Sequence, residues 1–290
     1  MMIRGIRYDQ MMDSPADTKK STSLPRMIMI VPCYNEAARL QQNKFLDFRM
    51  ENCDLRFLFV NDGSSDETQS VLDAMSAQGL DRIASLRLLR NVGKAEAVRQ
   101  GMLHGLKDNP DFIGFLDADL ATSLEELPRF FKVMEINPAI KLVMGSRIRL
   151  LGRNIERNAA RHYIGRVFAT FASMALRMSV YDTQCGAKLF RRTPEIASLF
   201  AQKFISRWVF DVEILARLAA SNCELGFAAE FGITELPLME WRDVHGSKVK
   251  CIDGIRAYAD IVRIGWRYRR NRKSARNQSA VSAVKISSAT

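Results

Sequence analysis

The sequence predicts an α/β protein built on a parallel, doubly wound sheet. Three observations carry this. Short apolar runs of strand length alternate with helical stretches over residues 27–144. Each run stops at a polar turn rich in Gly, Asn, Asp or Ser. Those turns carry charged side chains where a parallel α/β sheet binds ligands, beyond the carboxyl ends of its strands.

Residues 27–31 form an apolar run before Pro32, read as a buried first strand. Pro32-Cys33-Tyr34-Asn35-Glu36 is a turn cluster, and 36–48 is compatible with a helix. Residues 57–60 are a second strand, followed by Asn61-Asp62-Gly63-Ser64-Ser65-Asp66. Gly63 permits a tight turn, and Ser65 is placed to cap a helix over 67–75. Residues 86–89 read as a third strand, Asn91-Val92-Gly93-Lys94 as a turn, and 95–106 as a helix. The fourth strand, 112–119, ends in Asp117-Ala118-Asp119. Ser123 and Glu126 have the spacing of a capping box for the next helix. Residues 141–144 are a fifth strand, ending in Gly145-Ser146-Arg147.

The Asp117/Asp119 pair is the most informative stretch. Side chains two apart on an extended strand share a side. Two close carboxylates repel and require a cation or a proton. Hard oxygen ligands suit Mg²⁺ or Mn²⁺, shared with a phosphate-bearing substrate. Alone, Asp-x-Asp is equally a polar turn after a buried strand. Its company decides: Tyr34, Glu36, Asp62, Lys94 and Arg147 stand at the other strand ends.

Composition sets the outer bounds. Hydrophobic residues form 47% of the 290, enough for a sizeable core in one large domain. The 43 Lys+Arg against 32 Asp+Glu give a formal charge of +11, which suits an anionic partner. No nucleic-acid-binding module accompanies that charge, so a nucleic-acid partner is not expected. Five cysteines without CxxC or metal spacing indicate a reducing compartment. No run of 18 apolar residues exists, so no transmembrane helix is expected. Residues 1–26 read as a flexible tail, 27–266 as the domain, and 267–290 as a basic, then polar tail. The patterns G-x-G-x-x-G and G-x-x-x-x-G-K-[ST] are both missing, which disfavours hydride transfer and P-loop phosphoryl transfer.

Taken in order, Pro32-Cys33-Tyr34-Asn35-Glu36, Asn61-Asp62-Gly63-Ser64-Ser65-Asp66, Asn91-Val92-Gly93-Lys94 and Asp117-Ala118-Asp119 resemble the inverting family 2 glycosyltransferases over about residues 27–265. The resemblance implies a Rossmann-like GT-A fold with helices on the acceptor side, a nucleotide-sugar donor and Mn²⁺ or Mg²⁺. It implies that Pro32, Tyr34, Glu36, Asp62 and Lys94 surround base and ribose. Asp117 would hold the ribose side, with Ala118 between it and Asp119, which would hold the metal on the diphosphate.

The second half resembles the polyprenyl-phosphate branch, closest to dolichyl-phosphate β-glucosyltransferases. The residues are Asp182-Thr183-Gln184-Cys185-Gly186-Ala187-Lys188-Leu189-Phe190, the run 207–215, Trp241 and His245-Gly246-Ser247-Lys248-Val249. The resemblance implies a lipid monophosphate acceptor, which is already ionised and needs cations more than a base. Arg147, Arg161, Ser247 and Lys248 are the candidates to hold phosphates. Asp182 and Asp211 are the remaining acidic candidates; Asp211, inside an apolar run, is equally a structural ion pair. Leu120-Ala121-Thr122 after the Asp pair fits a glucosyl better than a mannosyl donor, although Leu120 and Ala187 depart from the glucosyl pattern.

The expected activity is transfer of a hexose, glucose first, from a UDP-sugar to a polyprenyl phosphate. GDP-mannose as donor, or a glycan hydroxyl as acceptor, are the alternatives. The expected location is the cytoplasmic face of a membrane. Attachment would rest on the basic-apolar stretches 157–180 and 261–270 or on a membrane-protein partner. Both stretches are equally readable as helices packed on the domain.

Overall fold

The computed structural model describes residues 2–3, 6–7, 23–156, 159–221, 232–242 and 256–268. In the first tail, Met2–Ile3 and Ile6–Arg7 pair antiparallel. The domain then begins at strand β1, Arg26–Cys33. It continues through α1 (Gln42–Asp47), β2 (Asp54–Asn61), α2 (Thr68–Gly79), β3 (Ile83–Arg87), α3 (Lys94–Gly105) and β4 (Phe112–Phe115). Next come α4 (Leu127–Ile136), β5 (Leu142–Ser146), β6 (Asn154–Glu156), α5 (Ala159–Leu176), β7 (Lys188–Arg191), α6 (Pro194–Leu199) and α7 (Phe210–Ser221). Strands β8 (Ile233–Pro237) and β9 (Glu240–Arg242) precede a helix α8 over 256–268.

Seven strands form the central sheet in the order β8-β5-β7-β4-β1-β2-β3. All neighbours are parallel except β7, which runs antiparallel between β4 and β5. Strands β6 and β9 make a second, small parallel pair.

Alternation along the strands builds two apolar layers. Ile28, Ile30, Leu58 and Val60 face one side, where α3, α5, α6, α7 and α8 pack. Met27, Met29, Val31, Phe57 and Phe59 face the other, against α1, α2 and α4. On that side Phe45 of α1 meets the rings of Phe57 and Phe59 edge-on at 5.2 and 5.0 Å. Burying such a ring contributes about 1.5–3 kcal/mol, so a six-residue helix is held by packing rather than by its own backbone. Gly101 of α3 lets that helix sit on the sheet: a Cβ there would come within 2.4 Å of Ile30.

Several expected elements are drawn differently. The helix over 36–48 shrinks to α1, because the Gln42 amide donates to Leu40 and interrupts the ladder after a single turn at Glu36. The third strand lies at Ile83–Arg87; Leu88 leaves the strand to enter the core, and Leu89 is fully exposed. Ser65 does not cap α2. Its place is taken by Asp66, whose Oδ1 accepts from the Thr68 amide at 3.0 Å. Ser123 and Glu126 form no capping box, since Glu126 is buried and held by Arg129 and the Met239 amide. Past the expected domain end at 266, α8 continues through Tyr268, whose hydroxyl donates to Glu213 at 2.9 Å.

Candidate active site

The turns after β1, β2, β3 and β4 meet at the carboxyl end of the sheet, tied to one another by side chains. Pro32 sits in β1 beyond the last residue paired with β4, so its missing N–H interrupts no ladder on that side. After it, Asn35 adopts the left-handed region (φ 50). Its amide donates to Ser64 Oγ at 3.0 Å, and its Oδ1 accepts from the Ser65 amide at 2.9 Å. The Glu36 amide donates to Thr68 Oγ1 at 2.8 Å, while the Glu36 carboxylate is gripped bidentately by Arg39. Tyr34 is half-buried in this loop.

Asp62 ties the second turn to the third. Its two oxygens accept from the Val92 and Gly93 amides at 2.7 and 2.9 Å. Burial raises its carboxyl above the usual range, and the two backbone donors draw part of that rise back. Glycine is required at both contact points. A Cβ on Gly63 (φ 63) would lie 2.3 Å from the Arg90 carbonyl carbon, and one on Gly93 (φ 94) would lie 2.6 Å from Arg207 Nε. The Arg207 guanidinium also donates to Asn91 Oδ1 at 3.1 Å. Beside this turn lies a cavity of about 770 Å³ lined in part by Arg87, Arg90, Lys203 and Arg207.

Asp117 and Asp119 are not on a strand. Strand β4 stops at Phe115, and the two carboxylates lie in a turn closed by the Leu120 amide donating to the Asp117 carbonyl at 3.3 Å, with Leu120 left-handed. The pleat argument for their shared side therefore fails, although the two charges still act on each other. Asp117 Oδ1 lies 2.5 Å from Lys94 Nζ, outside hydrogen-bond geometry, so this buried oxygen takes no hydrogen bond. Asp119 accepts one hydrogen bond, from the Ala121 amide at 3.1 Å. Burial first and Asp117 second raise its carboxyl above the usual range. Ala118 between them is buried in the core.

Two residues beyond the quoted motifs' assigned roles complete the floor. Gly186 faces Asp117 so closely that a Cβ would stand 2.1 Å from Oδ2. Lys188 of β7 is fully buried; its ammonium donates to Asp211 Oδ1 at 2.6 Å and to the Cys185 and Thr183 carbonyls at 2.8 and 3.0 Å. A lysine flanked by Leu189 and Phe190 was the available signal, since an unpaired lysine is rarely fully buried.

The two remaining acidic candidates are both engaged. Asp182 receives the Arg147 guanidinium at 2.6 and 2.8 Å and the Arg147 amide at 3.0 Å. Arg147, expected to hold a phosphate, is thereby committed to a carboxylate and also stands over the Trp241 ring at 5.3 Å. The turn carrying Asp182 is fixed in turn by Glu235, which accepts from the Tyr181 and Asp182 amides at 2.8 and 2.7 Å. Asp211 pairs with Lys188; burial raises its carboxyl, against the pull of Lys188 and Lys94. Trp241 is bridged to Thr122, and the Arg242 amide donates to the Ala121 carbonyl at 3.2 Å, closing the site over the turn after Asp119. Ser247, Lys248 and the Arg161 side chain lie outside the described residues.

The donor set suits a divalent ion that shares its shell with a substrate. Two carboxylates contribute hard oxygens, and no cluster of three or more His, Cys, Asp or Glu is present among the described residues. Such a pair leaves most positions to water and phosphate oxygens.

The model of glycosyl transferase family 2 matches residues 28–197. A dolichyl-phosphate beta-glucosyltransferase of Trichomonas vaginalis is 31% identical over 268 residues, covering 88% of this chain and 75% of the relative. One from Dictyostelium discoideum is 32% identical over 256 residues, covering 83% and 74%. Glucosyl-3-phosphoglycerate synthase from Mycobacterium tuberculosis, in complex with UDP, superposes with a TM-score of 0.60 at 14% identity over 83% of this chain and 80% of that one. The same enzyme with Mn²⁺, UDP and glucosyl-3-phosphoglycerate gives 0.56 at 15% identity, over 82% and 77%. These structures establish the fold as GT-A. The family match covers more than half of the chain, and the chain accordingly belongs to glycosyl transferase family 2 and is a glycosyltransferase.

Proposed function

We propose that the protein is an inverting, metal-dependent glucosyltransferase that moves glucose from UDP-glucose to a polyprenyl phosphate. It would work peripherally on the cytoplasmic face of a membrane. The observation that carries the acceptor is the state of the two candidate bases. Asp182 is saturated by Arg147, and Asp211 is buried against Lys188. A hydroxyl acceptor needs a base to take its proton. A phosphate monoester, with a second pKa of about 6, needs none. Names of relatives matched over more than four-fifths of the chain support the same acceptor and sugar.

On this reading Asp62, Tyr34 and the Asn91–Lys94 turn bind the nucleoside, and Asp117 faces its ribose. Asp119 would hold Mn²⁺ or Mg²⁺ on the diphosphate, with Asp117 beside it. When bound, the ion neutralises charge developing on the departing diphosphate. Lys94 adds a fixed cation beside Asp117. Arg161, Ser247 and Lys248 remain the proposed acceptor contacts. An acceptor phosphate oxygen attacks C1 from the face opposite the departing UDP, which inverts the anomeric centre.

The test is product analysis with purified protein, labelled UDP-glucose, Mn²⁺ and a prenyl phosphate, beside GDP-mannose as rival donor. A glucosyl phosphodiester is expected. A mannosyl product would replace the donor, and a glycosidic bond to a glycan would replace the acceptor. No candidate spanning helix exists among the described residues.

A further inference from the structure

The Asn91–Gly93 turn has two partners. The Val92 and Gly93 amides donate to Asp62, while Arg207 donates to Asn91 Oδ1 at 3.1 Å and packs where a Gly93 Cβ would stand. Arg207 also belongs to the wall of the cavity of about 770 Å³ beside the turn. That volume is in the range of small-molecule sites. None of Tyr34, Asp62, Lys94, Asp117 and Asp119 lines it, so the cavity is distinct from the proposed donor site. Its cations come in two pairs. Arg87 and Arg90 stand at and just beyond the end of β3; Lys203 and Arg207 stand in the loop before α7. All four are exposed, and none forms an ion pair among the described residues. The one carboxylate in the lining, Glu96, is already held bidentately by Arg99 at 2.7 and 2.8 Å. Leu88, Val92, Ala95 and Phe204 add apolar lining.

The loop carrying Lys203 and Arg207 is braced. Arg217 donates to the Gln202 and Lys203 carbonyls at 2.8 and 2.7 Å, Glu213 accepts from the Ile205 amide at 2.7 Å, and Arg99 donates to the Phe200 carbonyl at 3.1 Å. A wall fixed in advance loses little freedom when a ligand arrives. Four like charges around one void favour a multiply charged anion. We propose that this cavity binds an organic anion carrying two phosphate groups, one for each pair of cations, and that its occupancy weakens donor binding through Arg207 and the Asn91–Gly93 turn. Arginine-rich rims suit phosphate through charge-assisted, bidentate hydrogen bonds. Two effects set the sign. An anion on Arg207 draws it from Asn91, and it places negative charge beside the site that must receive a diphosphate. Asp62 already feels Arg207 across the turn: burial first raises its carboxyl, and Arg207 is among the groups that draw it back. The binding half is independent of the proposed function; the coupling half rests on its donor assignment.

The probe is fructose 1,6-bisphosphate, titrated calorimetrically into the full-length protein without substrates. One saturable site is expected. Arg87→Ala with Lys203→Ala should weaken it about a hundredfold, since each pair loses a charge-assisted hydrogen bond. The same variant should keep the wild-type affinity for UDP. Lys44→Ala, exposed on α1 on the other side of the sheet, should change neither. The Kd for UDP is then read with free Mn²⁺ held constant, and saturating probe should raise it to a plateau of about fivefold. Asn91→Ala should still bind the probe and lose most of that rise. Folding of each variant is checked by thermal unfolding. Absence of saturable probe binding, or equal weakening by Lys44→Ala, overturns the site and leaves only the general attraction of a +11 chain for anions. A Kd for UDP that climbs without limit, or probe displaced by prenyl phosphate, makes the cavity part of a substrate site and overturns the proposal. An unchanged Kd, or an undiminished rise in Asn91→Ala, overturns the coupling. A protein that glucosylates prenyl phosphate but binds no probe refutes this proposal alone; one that binds probe and UDP but glucosylates no prenyl phosphate refutes the acceptor reading alone.

Discussion

Removing one partner of the Lys188–Asp211 pair should unfold the domain more readily than it should silence the chemistry. Lys188 is fully buried and Asp211 is 6% exposed. The ammonium has three donors and three acceptors: Asp211 Oδ1 at 2.6 Å and the Thr183 and Cys185 carbonyls at 3.0 and 2.8 Å. Lys188→Met preserves length and leaves Asp211 as a buried charge without its partner. Breaking a buried pair from one side costs about 3–5 kcal/mol. At about 2–4 °C per kcal/mol for a chain of this size, the midpoint should drop by roughly 6–20 °C. Asp211→Asn should cost less, about 2 kcal/mol, because the amide oxygen can still accept and both carbonyls remain. The double variant Lys188→Met, Asp211→Leu should recover most of the loss, since an apolar pair of similar volume often replaces a buried ion pair at little cost. Thermal unfolding by circular dichroism reads all three, with glucosyl transfer measured well below each midpoint. If Asp211→Asn melts like wild type while its rate collapses, Asp211 is a base, and the phosphate-acceptor argument fails with it.

Four further outcomes follow from single contacts. Asp119→Asn should abolish transfer across a range of Mn²⁺ and Mg²⁺ yet melt no lower than wild type, because burial and Asp117 already make the charge costly; normal turnover would remove Asp119 from the metal. Gly186→Ala should displace Asp117, since the new methyl would stand 2.1 Å from Oδ2; a tenfold or greater loss of transfer in a folded protein is expected, and an unchanged rate would contradict the close approach. Burial raises the Glu235 carboxyl in the fold, so the folded state holds that proton more tightly than the unfolded chain. Its contribution is present at low pH and lost as pH rises through the raised value, so the stability difference between wild type and Glu235→Gln should narrow or reverse as pH rises above about 4.3. A pH-independent difference would exclude the shift. Cys53, pushed up to about 12, and Cys185, pushed up to about 11, should resist alkylation at pH 8 until the protein unfolds, as mapped by mass spectrometry.

What could be read from the sequence is what local chemistry decides. The strands β1, β2, β4 and β5 are buried parallel strands and so appear as continuous apolar runs. Asp62, Gly63 and Gly93 lie in short turns whose backbone needs are visible residue by residue. Edge strand β3 lies at Ile83–Arg87 rather than 86–89 because Leu88 and Leu89, alike in sequence, go one to the core and one to water. Strand β7 has no local signal. It has four residues and pairs antiparallel with both β4 and β5, a placement set by chain segments about 45 to 80 residues away. The ion pairs were hidden for the same reason. Arg147 and Asp182 are 35 residues apart, and Lys188 and Asp211 are 23 apart. Nothing local distinguishes a carboxylate awaiting an arginine from one awaiting a proton.

That pairing supports the proposal that Asp119, among several carboxylates, would take the metal. At the carboxyl end of the sheet, Glu36 is matched by Arg39, Asp117 by Lys94, Asp182 by Arg147 and Asp211 by Lys188. Asp62 forms no ion pair among the described residues but is satisfied by two backbone amides. Asp119 has a single amide donor and forms no ion pair among the described residues, with Lys94 and Arg39 acting on it only from a distance. Local neutrality around it means that its negative charge is the unbalanced one. Burial makes that charge expensive in isolation and valuable once a divalent cation is bound. A dianionic diphosphate would add more negative charge, raising the demand for the same ion. Among the described residues, these carboxylates are thus matched internally, and Asp119, where donor and metal would meet on the proposed reading, is left without an ion pair.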